Sequence, residues 1–442
     1  ELQNTRAAAG LVDWEKGLVD RRIFSDPAIY QMEMEQIFAR TWNFVAHDSQ
    51  IPNPGDFFMT FIGEDRVIVA RDNDGNAQVL VNSCRHRGNA VCRAEEGHSS
   101  SFMCTYHGWT YDLKGALVGV PGFKEVYHEE LDRESWGLIT AAHVDTYKGF
   151  IFATMDPEAV PLIEFLGDVG RMAIAFIADR GDMRAVPGVQ KYIIPCNWKL
   201  AVDNVWDYAH GMPTHSSAMM CGWSENRTGR GRSQGGAQRW LAPKIAMLGD
   251  YGHAFSGPVV PPGGGQLEGA FETGWRESER AIDALGPIGI TFTGGHPNVF
   301  PNMWITQACQ VSMRLPKGPS STEIWWYTFV DANLTEEQAQ KQIHRNSHHF
   351  GPAGLFEQDD GENWGESTRG ASGAIIRNFP LNYSMGRRHG EVIDDELSPP
   401  RIEEPTNEYA QLWHYRSWAD WMAAESWADL RQSHTPVPRD IV

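Results

Sequence analysis

The sequence predicts an α+β protein in which a small all-β domain is followed by a larger domain with an antiparallel sheet flanked by helices. Between Trp42 and Asp156, short alternating apolar runs are bounded by Gly, Asn and Asp, which is typical of small antiparallel sheets. After Pro161, helical patterns mix with longer strands. Regular alternation of strand and helix is absent, which argues against a parallel doubly wound fold.

The individual elements follow from local patterns. Asp26-Pro27 precedes a helical pattern within residues 14–40. Short strands are predicted at 66–70, 78–81 and 149–153, a helix at 163–179, strands at 189–194 and 323–330, and helices at 335–350 and 406–430. Residues 223–290 are rich in Gly and Pro and predict long loops of the kind that cover a cavity.

The same patterns divide the chain into three parts. Residues 1–41 are predicted to be an N-terminal helical segment packed on the larger domain, residues 42–160 the all-β domain, and residues 161–442 the larger domain. A chain of 442 residues is long enough for this division.

Composition excludes several classes of protein. The sequence has no run of about 20 apolar residues, so it predicts no membrane span, and no signal segment is recognised. A net charge of −19 argues against a nucleic-acid partner. Six cysteines are too few for a disulfide scaffold in a chain of this length. We interpret four of them as ordinary thiols and expect a reducing, bacterial cytoplasmic location: Cys92, Cys196, Cys221 and Cys309.

Two short loops concentrate cysteine and histidine. Cys84-Arg85-His86-Arg87-Gly88 is followed by Cys104-Thr105-Tyr106-His107-Gly108-Trp109. Two thiolates with two imidazoles form the ligand set of a Rieske [2Fe-2S] centre, which relays single electrons. A structural zinc site is the alternative, but it usually leaves two to four residues between paired ligands, whereas Cys84 and His86 are separated by one.

A second concentration of ligand types lies between Asp203 and His215. Asp207 and His210 are three residues apart and are predicted to share one face of a helix that Gly211 ends, so that His215 folds back toward His210. With a carboxylate, the two histidines would complete a two-His-one-carboxylate triad for Fe(II). The alternative is a helix cap with incidental surface histidines. Four acids are candidates for the third ligand: Glu357, Asp359, Asp360 and Glu362.

Taken together, the chain resembles the α subunit of Rieske non-haem iron aromatic-ring-hydroxylating dioxygenases of the biphenyl, naphthalene and polycyclic-hydrocarbon type. The resemblance covers nearly the whole chain. It is carried by three motifs in the family's order: Cys84-x-His86 with Cys104-x-x-His107, Asp207-x-x-His210-x-x-x-x-His215, and Phe356-Glu357-Gln358-Asp359-Asp360-Gly361-Glu362-Asn363-Trp364.

The resemblance implies a role for each motif residue. Residues 42–160 would be the Rieske domain and residues 161–442 a helix-grip-like catalytic domain that holds mononuclear iron. Cys84 and Cys104 would hold one cluster iron, and His86 and His107 the other. His210, His215 and Asp360 would hold the mononuclear Fe(II). Asp207 would bridge His107 of one subunit and His210 of the next, and Trp109 would shield the cluster.

The resemblance also implies the reaction and its partners. Electrons from NADH would pass through a reductase, with or without a ferredoxin, to the cluster and then to the iron. Both atoms of O2 would add to an aromatic ring as a cis-dihydrodiol. The α subunits would form a trimer, or an α3β3 hexamer with a small β subunit. The alternatives are a Rieske monooxygenase or demethylase, and a non-catalytic Rieske electron-transfer protein.

Four residues are candidates for the substrate pocket. Asp203 and Asn204 stand where hydrocarbon members usually have an amide and an aromatic, so they predict either a polar pocket or a capping role for Asp203. Phe356 matches a pocket aromatic of the family. Arg314 matches a pocket position where it would favour a carboxylate-bearing aromatic, but a surface position is the preferred interpretation.

Overall fold

The computed structural model describes residues 5–221, 240–242, 244–259, 274–433 and 441. The chain separates into two compact units. One unit is Phe38–Leu162, and the other combines Glu1–Ile37 with Ile163–Val442. No helix in the described ranges has both the length and the apolar character needed to cross a bilayer.

The Phe38–Leu162 unit is built from three small antiparallel sheets, as the sequence predicts. One sheet has the strand order Leu117–Gly119, Thr110–Asp112, Ser101–Met103. The second has the order His143–Tyr147, Phe150–Thr154, Asn43–His47. The third has the order Ala77–Val81, Asp65–Arg71, Asp56–Ile62, Glu96–His98. The buried core of this unit includes both cysteines of the predicted cluster loops, Cys84 and Cys104.

The larger unit is organised by one antiparallel sheet of ten strands. Its order is Met183–Ala185, Thr322–Asp331, Gln310–Pro316, Met303–Ile305, His296–Val299, Ala254–Pro258, Lys244–Leu248, Arg401–Glu404 and Val392–Ile393, and Gln190–Ile194 also pairs with Thr322–Asp331. A separate three-stranded sheet joins Val12–Asp13 and Leu18–Val19 to Leu381–Asn382. The prediction of an α+β fold with an antiparallel sheet is confirmed.

Helices accompany the sheet of the larger unit. They are Thr5–Ala9, Pro27–Glu33, Met34–Phe38, Leu162–Ala178, Trp198–Asp203, Gly211–Thr214, Ser216–Met220, Glu279–Gly289, Glu336–His349, Leu355–Ser372, Tyr409–Ala423 and Trp427–Ser433. Shorter 3-10 turns of this unit occupy Arg21–Phe24, Asn204–Trp206, Asp250–Gly252, Gly274–Glu277 and Ile376–Asn378, and those of the Phe38–Leu162 unit occupy Asp48–Gln50 and Arg133–Trp136.

Most of the predicted elements are confirmed, with two corrections. The helix predicted at 406–430 is broken, because Ala424 adopts extended backbone between the last two helices. The loops predicted over 223–290 are wrong in part, since this segment contributes two strands of the main sheet and the Glu279–Gly289 helix. Pairing with neighbouring strands stabilises those short strands although their own periodicity is weak. Residues 223–239, 243 and 260–273 of that segment lie outside the described residues.

A buried ion pair fastens the N-terminal segment to the helix that precedes the second candidate site. Glu33 ends the Pro27–Glu33 helix, and its carboxylate bonds the Lys199 ammonium in the Trp198–Asp203 helix. The indoles of Trp198 and Trp418 donate to the same carboxylate at 2.9 and 2.8 Å. Neither charged side chain of the pair has any solvent exposure. Burial therefore lowers the pKa of Lys199, and Glu33 opposes that shift.

We expect Glu33→Gln to destabilise the larger unit by about 3 kcal/mol, because it leaves the Lys199 ammonium buried without a counter-charge. Urea unfolding followed by tryptophan fluorescence measures this change. Glu35→Gln is the matched control, since Glu35 is two residues away and exposed. Equal unfolding free energies for the two variants would show that the pair does not stabilise the fold.

Candidate functional site

The two Cys/His loops repeat the same backbone turn. The amide of Gly88 donates to the carbonyl of Cys84 at 2.8 Å, and the amide of Gly108 donates to that of Cys104 at 2.9 Å. Both glycines have φ in the left-handed region, at +74° and +75°, where residues with a Cβ are strained. The Gly after each ligand pair is thus required by the turn.

Two polar side chains lie next to the cysteine sulfurs of these loops. The Tyr111 hydroxyl lies 3.3 Å from the Sγ of Cys84 and accepts the Arg85 amide at 3.1 Å, so its own hydrogen is free to point at the sulfur. The Asn89 amide donates to the Sγ of Cys104 at 3.6 Å. Neither Tyr111 nor Asn89 was predicted, because nothing in their local sequence marks them as partners of a sulfur.

The histidines of the two loops face each other. The rings of His86 and His107 are 4.5 Å apart between centroids. Trp109 is buried and stacks on His86 at 5.0 Å with an interplanar angle of 12°, a contact that both shielding of a cluster and plain packing would give. The Nδ1 atom of His86 is buried and has no hydrogen-bond partner, so it is a nitrogen left for a metal.

The four loop residues fit a two-iron cluster better than a single ion. Within the described residues, the group whose three ligand atoms all lie within 4.8 Å of one another is His210, His215 and Asp360, in the larger unit. The ligand atoms of Cys84, His86, Cys104 and His107 do not converge in this way. A tetrahedral zinc ion needs such convergence, whereas a [2Fe-2S] cluster has its ligands on two separate irons.

The backbone around the second site differs from the predicted helix. The Trp198–Asp203 helix tightens into a 3-10 turn at Asn204–Trp206, and Asp207 then adopts extended backbone, with φ −81° and ψ 99°. The Oδ1 of Asp207 accepts the amides of Ala209 and His210 at 2.7 and 3.2 Å. This local bonding competes with helix formation, so the prediction that Asp207 and His210 share a helix face is wrong.

The predicted helix end is also wrong. Gly211 and Pro213 lie inside a short helix, Gly211–Thr214, that begins directly after His210. Proline is tolerated there because the first turn of a helix has no partner for its amide. His215 follows this helix as its cap, and the short helix therefore returns the second histidine toward the first.

Three predicted ligands converge. The Nε2 atoms of His210 and His215 are 3.1 Å apart, and the Oδ1 of Asp360 lies 3.3 and 3.5 Å from them. Ligands at about 2.1 Å from a metal on one octahedral face are about 3.0 Å apart, so the triangle suits a facial triad. The Oδ1 of Asp360 is buried without a hydrogen-bond partner. The residues thus fit a mononuclear metal.

Helix periodicity separates the four candidate acids. Glu357 and Asp360 are three residues apart on the buried face of the Leu355–Ser372 helix, whereas Glu362 is exposed. Asp359 is half-buried beside the triad. Only Asp360 contributes an atom to the triangle.

A second carboxylate stands behind each histidine. The Oδ2 of Asp207 is 3.6 Å from the Nδ1 of His210, and the Oδ2 of Asp359 is 3.7 Å from the Nδ1 of His215. Ser217 donates to the Asp359 carboxylate at 2.7 Å. Carboxylates at the outer nitrogen orient a ligating imidazole. The sequence predicted such a role for Asp207 and missed it for Asp359.

Burial shifts the pKa of two triad residues toward the neutral form, whereas for His210 burial is outweighed by the nearby Asp207 and Asp360, which raise the pKa. Burial, followed by the nearby His210, lowers the pKa of His215 to about 4, so its imidazole is neutral and able to ligate at pH 7. Burial raises the pKa of Asp360 to about 7, although His210 opposes the shift. A bound cation would favour the ionised carboxylate.

Asp203 and Asn204 face different partners. The Asn204 side chain lies near the triad, where it helps to lower the pKa of Asp360 against the rise that burial causes. The Asp203 carboxylate accepts the hydroxyls of Tyr383, at 2.8 Å, and Tyr415. It makes no side-chain hydrogen bond to the turn that follows, so the capping interpretation is wrong. Burial raises the pKa of Asp203 to about 7.

The other two pocket candidates also have defined surroundings. Phe356 packs edge-on against His215, with 4.6 Å between ring centroids. Arg314 has no exposed surface, so the preferred surface position is wrong. Its guanidinium lies 3.9 Å from Glu357. A buried ion pair explains how a charged residue is tolerated on a central strand.

Two protein-family profiles match the chain. Residues 41–142 match the Rieske [2Fe-2S] domain, and residues 178–424 match the ring hydroxylating alpha subunit (catalytic domain). The first match contains all four loop ligands, and the second contains the complete triad.

Relatives match along nearly the full chain. The biphenyl dioxygenase subunit alpha of Paraburkholderia xenovorans is 34% identical over 451 residues, with 96% of this chain and 95% of the relative covered. The chlorobenzene dioxygenase subunit alpha of a Cupriavidus species is 35% identical over 449 residues, with 97% and 96% covered. Among solved structures, naphthalene 1,2-dioxygenase with indole in its active site has a TM-score of 0.84 at 28% identity, covering 96% of both chains.

We expect Tyr111→Phe to lower the reduction potential of the cluster, because a hydrogen bond to a ligand sulfur stabilises the reduced state. If the hydrogen bond stabilises the reduced cluster over the oxidised cluster by about 1 kcal/mol, the one-electron potential changes by about 40 mV. Potentiometric titration followed by EPR measures the shift. Tyr106→Phe serves as control, since Tyr106 is exposed. A Tyr111→Phe potential equal to that of the parent would mean that the hydroxyl does not bond the sulfur.

We expect Asp360→Ala to reduce iron from about three to about two per chain while the Rieske EPR signal stays, because it removes one of three ligands of the mononuclear site only. Iron and acid-labile sulfide analysis measures the change. Glu362→Ala, on the exposed face of the same helix, is the matched control and should keep all its iron. Full iron content in the Asp360 variant would exclude that residue as a ligand.

Proposed function

Because this chain belongs to the ring-hydroxylating alpha subunits that carry a Rieske domain, we propose that it adds both atoms of O2 to one face of an aromatic ring to give a cis-dihydrodiol. It is the terminal oxygenase subunit of a multicomponent aromatic-ring-hydroxylating dioxygenase. The proposal rests above all on the convergence of His210, His215 and Asp360 in a chain that also has two Rieske-type loops.

We propose that different residues bind the [2Fe-2S] cluster and the mononuclear iron. Cys84 and Cys104 would hold one cluster iron, His86 and His107 the other, and the triad the mononuclear Fe(II). When bound, the cluster supplies single electrons and the mononuclear iron activates dioxygen. The contribution of this chain's other residues is positional.

The carboxylates of Asp207 and Asp359 lie 3.6 and 3.7 Å from the Nδ1 atoms of His210 and His215, which have no hydrogen-bond partner, and are proposed to orient these rings when a metal is bound. We propose that Asp207 also accepts a hydrogen bond from His107 of a neighbouring copy, which would bring a cluster and a triad from two chains together. Desolvation raises the pKa of Asp207, but the larger combined effect of the His210 imidazole and the bonded backbone amides lowers it, so the carboxylate is ionised and able to accept.

The substrate is proposed to be a small aromatic hydrocarbon or a close derivative. Phe356 presents an aromatic ring beside His215, which suits an apolar ring as a neighbour. Asp203 is bonded by two tyrosines, and Arg314 is paired with Glu357 without accessible surface. Neither charge is thus available to a polar substrate, which removes the main argument for a carboxylate-bearing substrate.

The proposed partners are a reductase that oxidises NADH and, between it and the oxygenase, a ferredoxin. The relatives are called alpha subunits, which supports assembly with a β subunit, for which we propose an α3β3 hexamer. Six unpaired cysteines support a reducing bacterial cytoplasm as the location. No feature of the described residues favours a monooxygenase or demethylase outcome, and the triad argues against a protein that only transfers electrons.

The decisive experiment is turnover of the parent with biphenyl or naphthalene, NADH, reductase, ferredoxin and 18O2. Incorporation of two labelled oxygens into one cis-dihydrodiol is expected. One labelled oxygen would indicate a monooxygenase instead. Absence of any product, with three irons per chain present, would contradict the aromatic substrate class.

We expect Asp207→Ala to lower dihydrodiol formation at least a hundredfold. The cluster spectrum and the iron content should stay within about 20% of the parent values. The reason is that the substitution removes the link between centres without removing a metal ligand. Single-turnover product analysis with a prereduced cluster measures the loss. Glu362→Ala is the control. Parent-like turnover by the Asp207 variant would exclude the bridging role.

A further inference from the structure

A buried guanidinium is paired with a carboxylate on the helix that carries Asp360. Arg314, in the Gln310–Pro316 strand, has no solvent exposure. Its Nε donates to the carbonyl of Ala201 at 3.3 Å, and its Nη1 donates to Ser312. Three indoles surround its charge at 4.5, 5.4 and 6.0 Å from the ring centroids: Trp304, Trp326 and Trp364. Cation–π contacts of this kind help to retain a desolvated cation.

Glu357 is the counter-charge of this guanidinium. Its carboxylate is buried and lies 3.9 Å from the Nη2 of Arg314. Within the part of the chain that the structure describes, no other carboxylate lies within ion-pair distance of Arg314. The pair is net neutral only while both members keep their charge.

The pair is adjacent to the triad. Glu357 precedes Asp360 by three residues in the Leu355–Ser372 helix, so both carboxylates occupy one buried face of that helix. Arg314, Glu357 and Asp360 are all buried, so charges on this face interact through protein, and water and salt screen them only weakly.

We propose that Glu357 is a positioning residue that preserves the iron(II) affinity of the His210–His215–Asp360 site by neutralising the buried Arg314 guanidinium. Without Glu357, the positive charge of Arg314 would repel the incoming dication. Burial raises the pKa of Glu357, and the Arg314 guanidinium opposes that rise and so favours the ionised carboxylate. This inference rests on the proposed metal site and extends it to two residues that touch neither iron nor substrate.

The proposal distinguishes charge from packing. Glu357→Gln leaves one uncompensated positive charge, and we expect it to weaken iron(II) binding at least tenfold. Arg314→Met leaves Glu357 protonated and the region neutral, so affinity should stay within about threefold of the parent. The double variant is neutral too and should also stay within threefold. Both single variants lose stability because each leaves one buried group without its partner.

The test uses the full chain with its cluster loaded and its mononuclear iron removed by a chelator. Anaerobic titration with Fe(II), in competition with a chromophoric chelator, gives the dissociation constant, and urea unfolding gives stability. Glu362→Gln is the matched control, since it removes the same charge from the solvent face of the same helix. Its affinity should equal that of the parent, because water screens an exposed charge.

Two results would overturn the inference. A purely structural pair predicts that Arg314→Met loses iron as much as Glu357→Gln does, and parent-like affinity in Glu357→Gln would also contradict a charge effect. If Glu357→Gln does not fold, the double variant decides: a loss of affinity of tenfold or more there contradicts the proposal. His210→Ala identifies the site, because iron binding unchanged in that variant would refute the proposed metal site itself.

Discussion

The metal triad of the larger unit depends on the burial of one carboxylate, that of Asp360, against two imidazoles. His210 and His215 come from a short irregular stretch, and Asp360 comes from a helix about 150 residues later. The helix must approach the sheet closely to deliver this group. Gly361 allows this approach without rearrangement, because a Cβ at that position would lie 2.9 Å from the Cδ1 of Ile194 on the neighbouring strand. A larger residue next to the ligand would therefore require the end of the Ile194 side chain to move.

The support of the triad extends to the N-terminal segment. Glu33 bonds Lys199 and two indoles in a buried cluster at the start of the Trp198–Asp203 helix. The Asn204–Trp206 turn that follows this helix leads to Asp207 and His210. Arg314 bonds the carbonyl of Ala201 in the same helix. Two buried ion pairs thus fix this short helix from two directions. Buried charges are costly unless paired, so such pairs favour one geometry over near alternatives.

The sequence predicts this fold and its ligands where spacing alone carries the information. The Cys/His loops, the antiparallel sheet and the two histidines follow from local pattern. The prediction was wrong for Asp207, because its carboxylate bonds the amides of Ala209 and His210 and so ends the helix, a local alternative that the spacing of ligands does not reveal. It was also wrong for Arg314, because no local pattern reveals a counter-charge 43 residues away. The partners of the cluster sulfurs, Tyr111 and Asn89, were missed for the same reason.

The repeated turn of the two Cys/His loops limits which residues each loop tolerates. A glycine with left-handed φ and one main-chain hydrogen bond define each turn, so a residue with a Cβ is strained at either glycine. The two loops are not equally tolerant of change. A Cβ at Gly108 would lie 2.8 Å from Pro121, whereas Gly88 has open space, so evolution of the second loop is constrained by sterics as well as by backbone torsion.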